Sequence, residues 1–298
     1  MAALVECVPN ISEGRRAEVI SEVAEAVAAV AGVRLLDQTS DADHNRSVFT
    51  FAGEPDAVLA AAHALADVAL REIDMRAHAG AHPRLGAVDV VPFVPISGVT
   101  MDDCVVLARR FGHEVGERHQ VPVYFYANAA TRPERVKLGD IRNAVQYEGL
   151  AAALATTHVP DAGPARFNER AGGMVVGARP FLIAFNIELD TTDLALAKRI
   201  AREIRESSGG LPAIQALGFE LSGPPRVQVS MNVLDFNRTS LARVWHEVER
   251  RAGDAGVRIL RGELVGLIPL DAALQVTADA LKLDGFDRSR VIEARFLE

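Results

Sequence analysis

The chain has 298 residues, enough for two domains of ordinary size, and builds its 49% apolar content from aliphatic side chains, with aromatics at only 5%. Its 32 Lys and Arg against 40 Asp and Glu leave a net charge of −8, which opposes attraction to nucleic acid and to anionic membrane surfaces. Two widely separated cysteines, no basic-then-apolar leader and no apolar stretch of spanning length point to a reducing, cytoplasmic home.

In chain order, the apolar run Leu4 to Val8 reads as a strand that stops at Pro9-Asn10, and a helical pattern follows from Ala17 to Val30. Val33 to Leu36 and Ser47 to Phe51 read as strands flanking a polar loop from Asp37 to Arg46. Ala57 to Ile73 is a second helix, Val88 to Val94 a strand, Asp102 to Arg118 a third helix, and Val121 to Tyr126 another strand. Residues 159–180 are dense in Gly and Pro. They read by default as a linker, or as a ligand loop in view of Phe167 and the apolar Met174-Val175-Val176. The second half repeats the layout: a strand at Phe181 to Phe185, a helix from Asp193 to Glu206, strands at Ala213 to Leu217 and Arg226 to Val233, a helix from Ser240 to Ala252 and a strand at Val257 to Leu260. The expected fold is α+β, an α/β sandwich of two ferredoxin-like βαββαβ subdomains with helices packed on mixed sheets, over residues 1–178 and 179–298.

The densest group of chemically capable residues is His78-Ala-Gly-Ala-His82-Pro83-Arg84-Leu85-Gly86-Ala87-Val88-Asp89. Two histidines, an arginine and an aspartate among glycines, anchored by the apolar run that follows, is how functional loops are built. The spacing of His78 and His82 would suit zinc on a helix, but Gly80 and Pro83 argue against a helix and so against that site. His82 is then either a proton-transfer group, since imidazole titrates near neutrality, or a turn residue bonded to nearby backbone. Cys7 and Cys104 sit in apolar surroundings, where an inert buried thiol is expected.

Four segments carry a resemblance: Val5-Glu6-Cys7-Val8-Pro9-Asn10-Ile11-Ser12-Glu13-Gly14, Asn45-Arg46-Ser47-Val48, Gly80-Ala81-His82-Pro83-Arg84-Leu85-Gly86-Ala87, and Gly177-Ala178-Arg179-Pro180-Phe181-Leu182-Ile183-Ala184-Phe185-Asn186. In this order and spacing they resemble the glutamate formimidoyltransferase family over nearly the whole chain. The resemblance implies transfer of a formimino group from N-formimino-L-glutamate to N5 of tetrahydrofolate, a step of histidine degradation and one-carbon metabolism. It also implies two formiminotransferase subdomains, a homodimer, and a folate tunnel between the subdomains. Animal members are fused to a cyclodeaminase. This chain ends at Glu298, so a monofunctional enzyme is expected, with any cyclodeaminase as a separate partner.

By the same resemblance His82 matches the catalytic histidine, and Gly163, Pro164, Ala165, Arg166, Phe167, Asn168, Glu169, Arg170, Ala171 and Gly172 match the folate-binding stretch. Two positions depart from the animal pattern: Ala171 stands where a Trp is found, and Thr39 where an Asp is found, leaving Asp41 and Asp43 as substitutes for that carboxylate. Asn10 and Asn45 end strands at loops expected near the site, or serve as turn residues. Arg46, Arg84 and Arg179 are candidates to grip the donor's carboxylates, because a guanidinium binds carboxylate bidentately. No metal is required by this chemistry; tetrahydrofolate enters as co-substrate. Two other readings stay open on sequence: formyl transfer from N-formylglutamate, and a non-catalytic folate-binding protein of the same fold.

Overall fold

The alternation of buried Val5, Cys7 and Ile11 makes the first segment a strand with one face in the core. Pro9, which has no N–H to give to a ladder, breaks it into β1 (Leu4–Cys7) and β2 (Asn10–Ile11). The computed structural model describes residues 2–80, 82–143, 145–221, 223 and 225–296, so Ala81 of the His82 segment lies outside the described residues. The chain divides into two units, Met1–Arg179 and Pro180–Glu298.

In the first unit β1 and β2 are followed by α1 (Ala17–Ala28), β3 (Val33–Asp41), β4 (Arg46–Gly53), α2 (Pro55–Glu72) and β5 (Val88–Ser97). β4 and β5 flank β1 and β2 antiparallel and β3 pairs with β4, which is the ferredoxin-like order. α2 begins with Pro55, whose fixed φ suits a first helical turn. α3 (Met101–His119) is opened by a reciprocal capping box between Thr100 and Asp103.

This unit goes beyond the expected βαββαβ. β6 (Val123–Ala127), α4 (Leu138–Arg142), α5 (Gln146–Ala153) and β7 (Met174–Ala178) extend it, and β7 inserts parallel between β5 and β6. The Gly- and Pro-dense region is therefore not a plain linker: its apolar Met174-Val175-Val176 is a sheet strand. The extension buries this part of the sheet on both faces. Phe93, Phe125 and Val176 join the core that includes α1–α3 residues, while Val90, Tyr124, Tyr126 and Val175 join a second cluster with Ile141 of α4 and Leu150 of α5. The expected polar loop Asp37 to Arg46 is also shorter than read. β3 runs to Asp41, whose register partner is Arg46, and only residues 42–45 form the turn.

The second unit is built from β8 (Ile183–Leu189), α6 (Leu194–Ile204), β9 (Ile214–Glu220), β10 (Val227–Val233), α7 (Leu241–Asp254) and β11 (Ile259–Val265), with antiparallel order β11-β8-β10-β9. Asp193 and Ser240 cap α6 and α7 through their side chains. Ile200, Ile204, Val244 and Val248 of these helices share one core with Ile187, Val229 and Met231 of the sheet. A helix that the sequence reading left out, α8 (Leu270–Leu281), follows. Among the described residues no helix is long and apolar enough to cross a membrane.

Candidate active site

Hydrogen bonds in series join the segments singled out in the first unit. The Asn45 side chain accepts from Gly14 N–H (2.9 Å) and donates to Ala79 C=O (3.0 Å), tying the segment after β2 and the loop after α2 to the β3–β4 turn. Asn45 sits at φ 49°, a left-handed conformation that Asn tolerates better than most residues. Gly14 lies so close to this turn that a Cβ there would fall 2.2 Å from Asp41 C=O. Ser12 Oγ donates to Gly86 C=O (2.8 Å), and Ser12 N–H to Ala87 C=O (2.9 Å). The far side of that loop is held by Ala87 N–H to Ala171 C=O (2.8 Å) and Gly173 N–H to Leu85 C=O (3.0 Å).

These contacts frame a small, shallow pocket lined by Ser12, His44, Asn45, Arg46, His78, His82, Arg84 and Asp89. His82 stands on an irregular loop, not on a helix. Its Nε2 is 2.7 Å from Arg46 Nη1. A guanidinium offers only N–H donors, so Nε2 is the acceptor and the ring proton belongs on Nδ1. Burial, then Arg46, Arg142 and His44, hold the imidazole's pKa down at about 3, against an opposing backbone hydrogen bond at Pro83. His82 is therefore a neutral imidazole at physiological pH.

The neighbouring charges are paired. Arg84 donates to Glu148 (2.6 Å) and to His78 Nδ1 (3.1 Å), and His78 Nε2 reaches Asn45 C=O at 3.0 Å. Burial, followed by the Arg84 charge, lowers the His78 pKa. Asp89 is buried; it accepts from Leu85 N–H and from Arg142 Nη1, each at 2.7 Å. Asp41 accepts from the Asp43 and His44 N–H groups and pairs with the His44 ring at 2.8 Å. His44 in turn stands edge-on to His82, ring centres 6.1 Å apart.

Of the residues expected at the site, Asn45, Arg46 and Arg84 line the pocket with His82, and Asp41 reaches it through His44. Asn10 does not line it; its side chain donates to Val8 C=O in the break between β1 and β2. Neither Arg179, which hydrogen-bonds Tyr126, nor any residue of Gly163–Gly172 is among the lining. That segment packs beside the loop instead. Phe167 stacks at a tilt on Tyr147, ring centres 5.4 Å apart; Asn168 closes a turn with Ala171 N–H and Gly172 N–H; and Ala171 is buried. The cysteines are buried, and burial raises both thiols, Cys104 to about 12.

Arg142 is not among the residues expected at the site. It lies on the short helix α4, far from every recognised motif, and only the presence of an acidic residue, Asp89, in an apolar strand hinted that a cation must meet it.

Comparison with known proteins agrees with this arrangement of segments. The model of the formiminotransferase domain, N-terminal subdomain, matches residues 4–179, and that of the formiminotransferase domain matches residues 184–284. A glutamate formimidoyltransferase of Thermoplasma acidophilum is 43% identical over 98% of this chain and 97% of its own length, and one of Streptococcus pyogenes serotype M1 is 39% identical over 98% of each. The formimidoyltransferase-cyclodeaminase of Rattus norvegicus is 44% identical over 93% of this chain, which spans 52% of that longer protein. With both subdomain models matched in order and relatives alike from end to end, the chain belongs to the formiminotransferase family.

Proposed function

We propose that this protein transfers the formimino group of N-formimino-L-glutamate to N5 of tetrahydrofolate, yielding 5-formimidoyltetrahydrofolate and L-glutamate. The observation that carries the reading is a neutral His82 imidazole beside Arg46 in a pocket framed by the β3–β4 turn and the His78–Asp89 loop. Folate binding is assigned to Gly163–Gly172, where Phe167 and Tyr147 offer ring faces next to the catalytic loop.

The chemistry needs one proton moved twice. N5 attacks the formimino carbon, forming the new N–C bond and a tetrahedral intermediate. N5 then gives up its proton to His82 Nε2. As the bond between that carbon and the glutamate nitrogen breaks, the same imidazolium returns the proton to the departing amine. Holding both molecules in line supplies up to about 7–11 kcal/mol in ideal cases. Arg46 is the carboxylate-binding group, while Arg84, already paired with Glu148, chiefly orders the loop. The same reading carries a homodimer, which light scattering tests.

The test is turnover of N-formimino-L-glutamate and, in parallel, N-formyl-L-glutamate with tetrahydrofolate, products identified by mass spectrometry. We expect the formimidoyl product. Product from the formyl donor alone would make the protein a formyl transferase, and tight folate binding without product a folate-binding protein.

A further inference from the structure

The hydrogen bond between Arg46 and His82 poses a mechanistic problem. The lone pair on His82 Nε2, which the reaction requires, is already engaged by Arg46 Nη1 at 2.7 Å. Arg46 meanwhile lacks the partner an arginine in such a place normally has. Among the described residues no carboxylate pairs with its side chain: Asp89 is engaged by Arg142, Glu148 by Arg84, and Asp41, its register partner across the β3–β4 pair, by His44. Arg46 is a half-buried cation with Arg142 nearby, and burial and that like charge both disfavour its charged form. Such a group gains most from an arriving anion, because a bidentate carboxylate is a far better acceptor for a guanidinium than a neutral ring nitrogen.

We propose that the donor's own carboxylate draws Arg46 away from His82, so that donor binding uncovers the Nε2 lone pair and switches the base on. This rests on the donor assignment above and adds a function for Arg46 beyond grip: it holds His82 inactive until the anion is present. The exchange is a change of hydrogen-bond partners with no covalent step. Its effect on His82 follows from the groups that face it: Arg46 from β4, Arg142 from α4, His44 from the β3–β4 turn, and Asp89 from β5 behind Arg142. When a carboxylate neutralises Arg46, one of the two arginine charges that disfavour the imidazolium is cancelled, and the ring becomes a stronger base.

The experiment is an NMR titration of the isotope-labelled histidines, with His82 among the eight assigned by comparison with His82→Gln. In the free protein the His82 ring should stay neutral down to about pH 5. Saturating N-formimino-L-glutamate without folate should bring its titration at least one pKa unit upward, a tenfold gain in proton affinity. Arg46→Gln should raise the His82 titration in the free protein and abolish any further rise with donor. In turnover it should raise the donor KM about tenfold or more while kcat falls by much less, the pattern of a lost ground-state contact with the base left free. A structural role alone would move neither the titration nor this split. The proposal is overturned if donor is turned over with tetrahydrofolate yet leaves the His82 titration unmoved, or if Arg46→Gln leaves it unmoved. Absence of both donor binding and turnover in the wild type would instead overturn the functional reading, and the switch with it. The wild-type titration requires no variant, so a poorly folded Arg46→Gln protein does not block the test.

Discussion

Asp89 and Arg142 stand 53 residues apart in the chain and 2.7 Å apart in the fold, with side chains 2% and 13% exposed. Through its other oxygen Asp89 accepts from Leu85 N–H, so a single carboxylate fixes both the last turn of the His82 loop and the arginine that lowers the basicity of His82. Loop geometry and local electrostatics are thereby coupled.

Asp89→Asn should be strongly destabilising. It leaves the half-buried Arg142 without a counter-charge, a loss of up to about 3 kcal/mol, the lower end for broken buried pairs. Chemical denaturation checks it, and an unchanged midpoint would show that Arg142 finds water or another acceptor.

Gly172 has φ +73°, and a Cβ there would lie 2.3 Å from Leu85 C=O and 2.7 Å from Gly86 Cα. Gly172→Ala should therefore combine left-handed strain with a clash against backbone, costing at least about 1–3 kcal/mol. Because the displaced atoms belong to the loop carrying His82, kcat should fall along with the melting temperature. Loss of stability with full kcat would uncouple the Gly163–Gly172 segment from the loop.

His82→Ala should lower kcat by about 10²–10⁴-fold while leaving donor and folate affinities close to normal, as expected for removal of a general acid–base. His78→Ala should behave differently. It removes the ring contacts to Asn45 C=O and Arg84 Nε, so its main effect should be a lower melting temperature. The two variants compared by calorimetry and turnover separate the roles, and near-normal kcat in folded His82→Ala protein would refute the mechanism.

The pH dependence of stability follows from the depressed histidines. His63 and His78 are held below 6.5, and His82 at about 3. Between these values and 6.5 the unfolded chain binds protons that the folded chain refuses, so lowering the pH favours unfolding. Stability is full above about pH 6.5 and is lost progressively below it. Exposed His246, raised by Asp279, acts weakly in the opposite sense. The melting temperature should fall from about pH 6.5 to 5, above most carboxylate titrations, and His82→Gln should flatten that slope.

Elements with a one-sided apolar pattern and loops with concentrated chemistry are legible in the residues alone. α2 and α3 announce themselves by helical periodicity, β10 by strict alternation of buried Val227, Val229, Met231 and Val233, and His82 by its company. β7 was hidden because a parallel strand buried on both faces shows no alternation, only a short apolar run among glycines. The end of β3 is hidden for the opposite reason: residues 38–41 are an exposed edge, held by backbone pairing to β4 that leaves no trace in side-chain type. Tertiary structure alone decided that Arg46 faces the His82 lone pair and that Arg142 meets Asp89. Both pairs join residues dozens of positions apart, and burial, by stripping water from these charges, is what makes such contacts govern the chemistry.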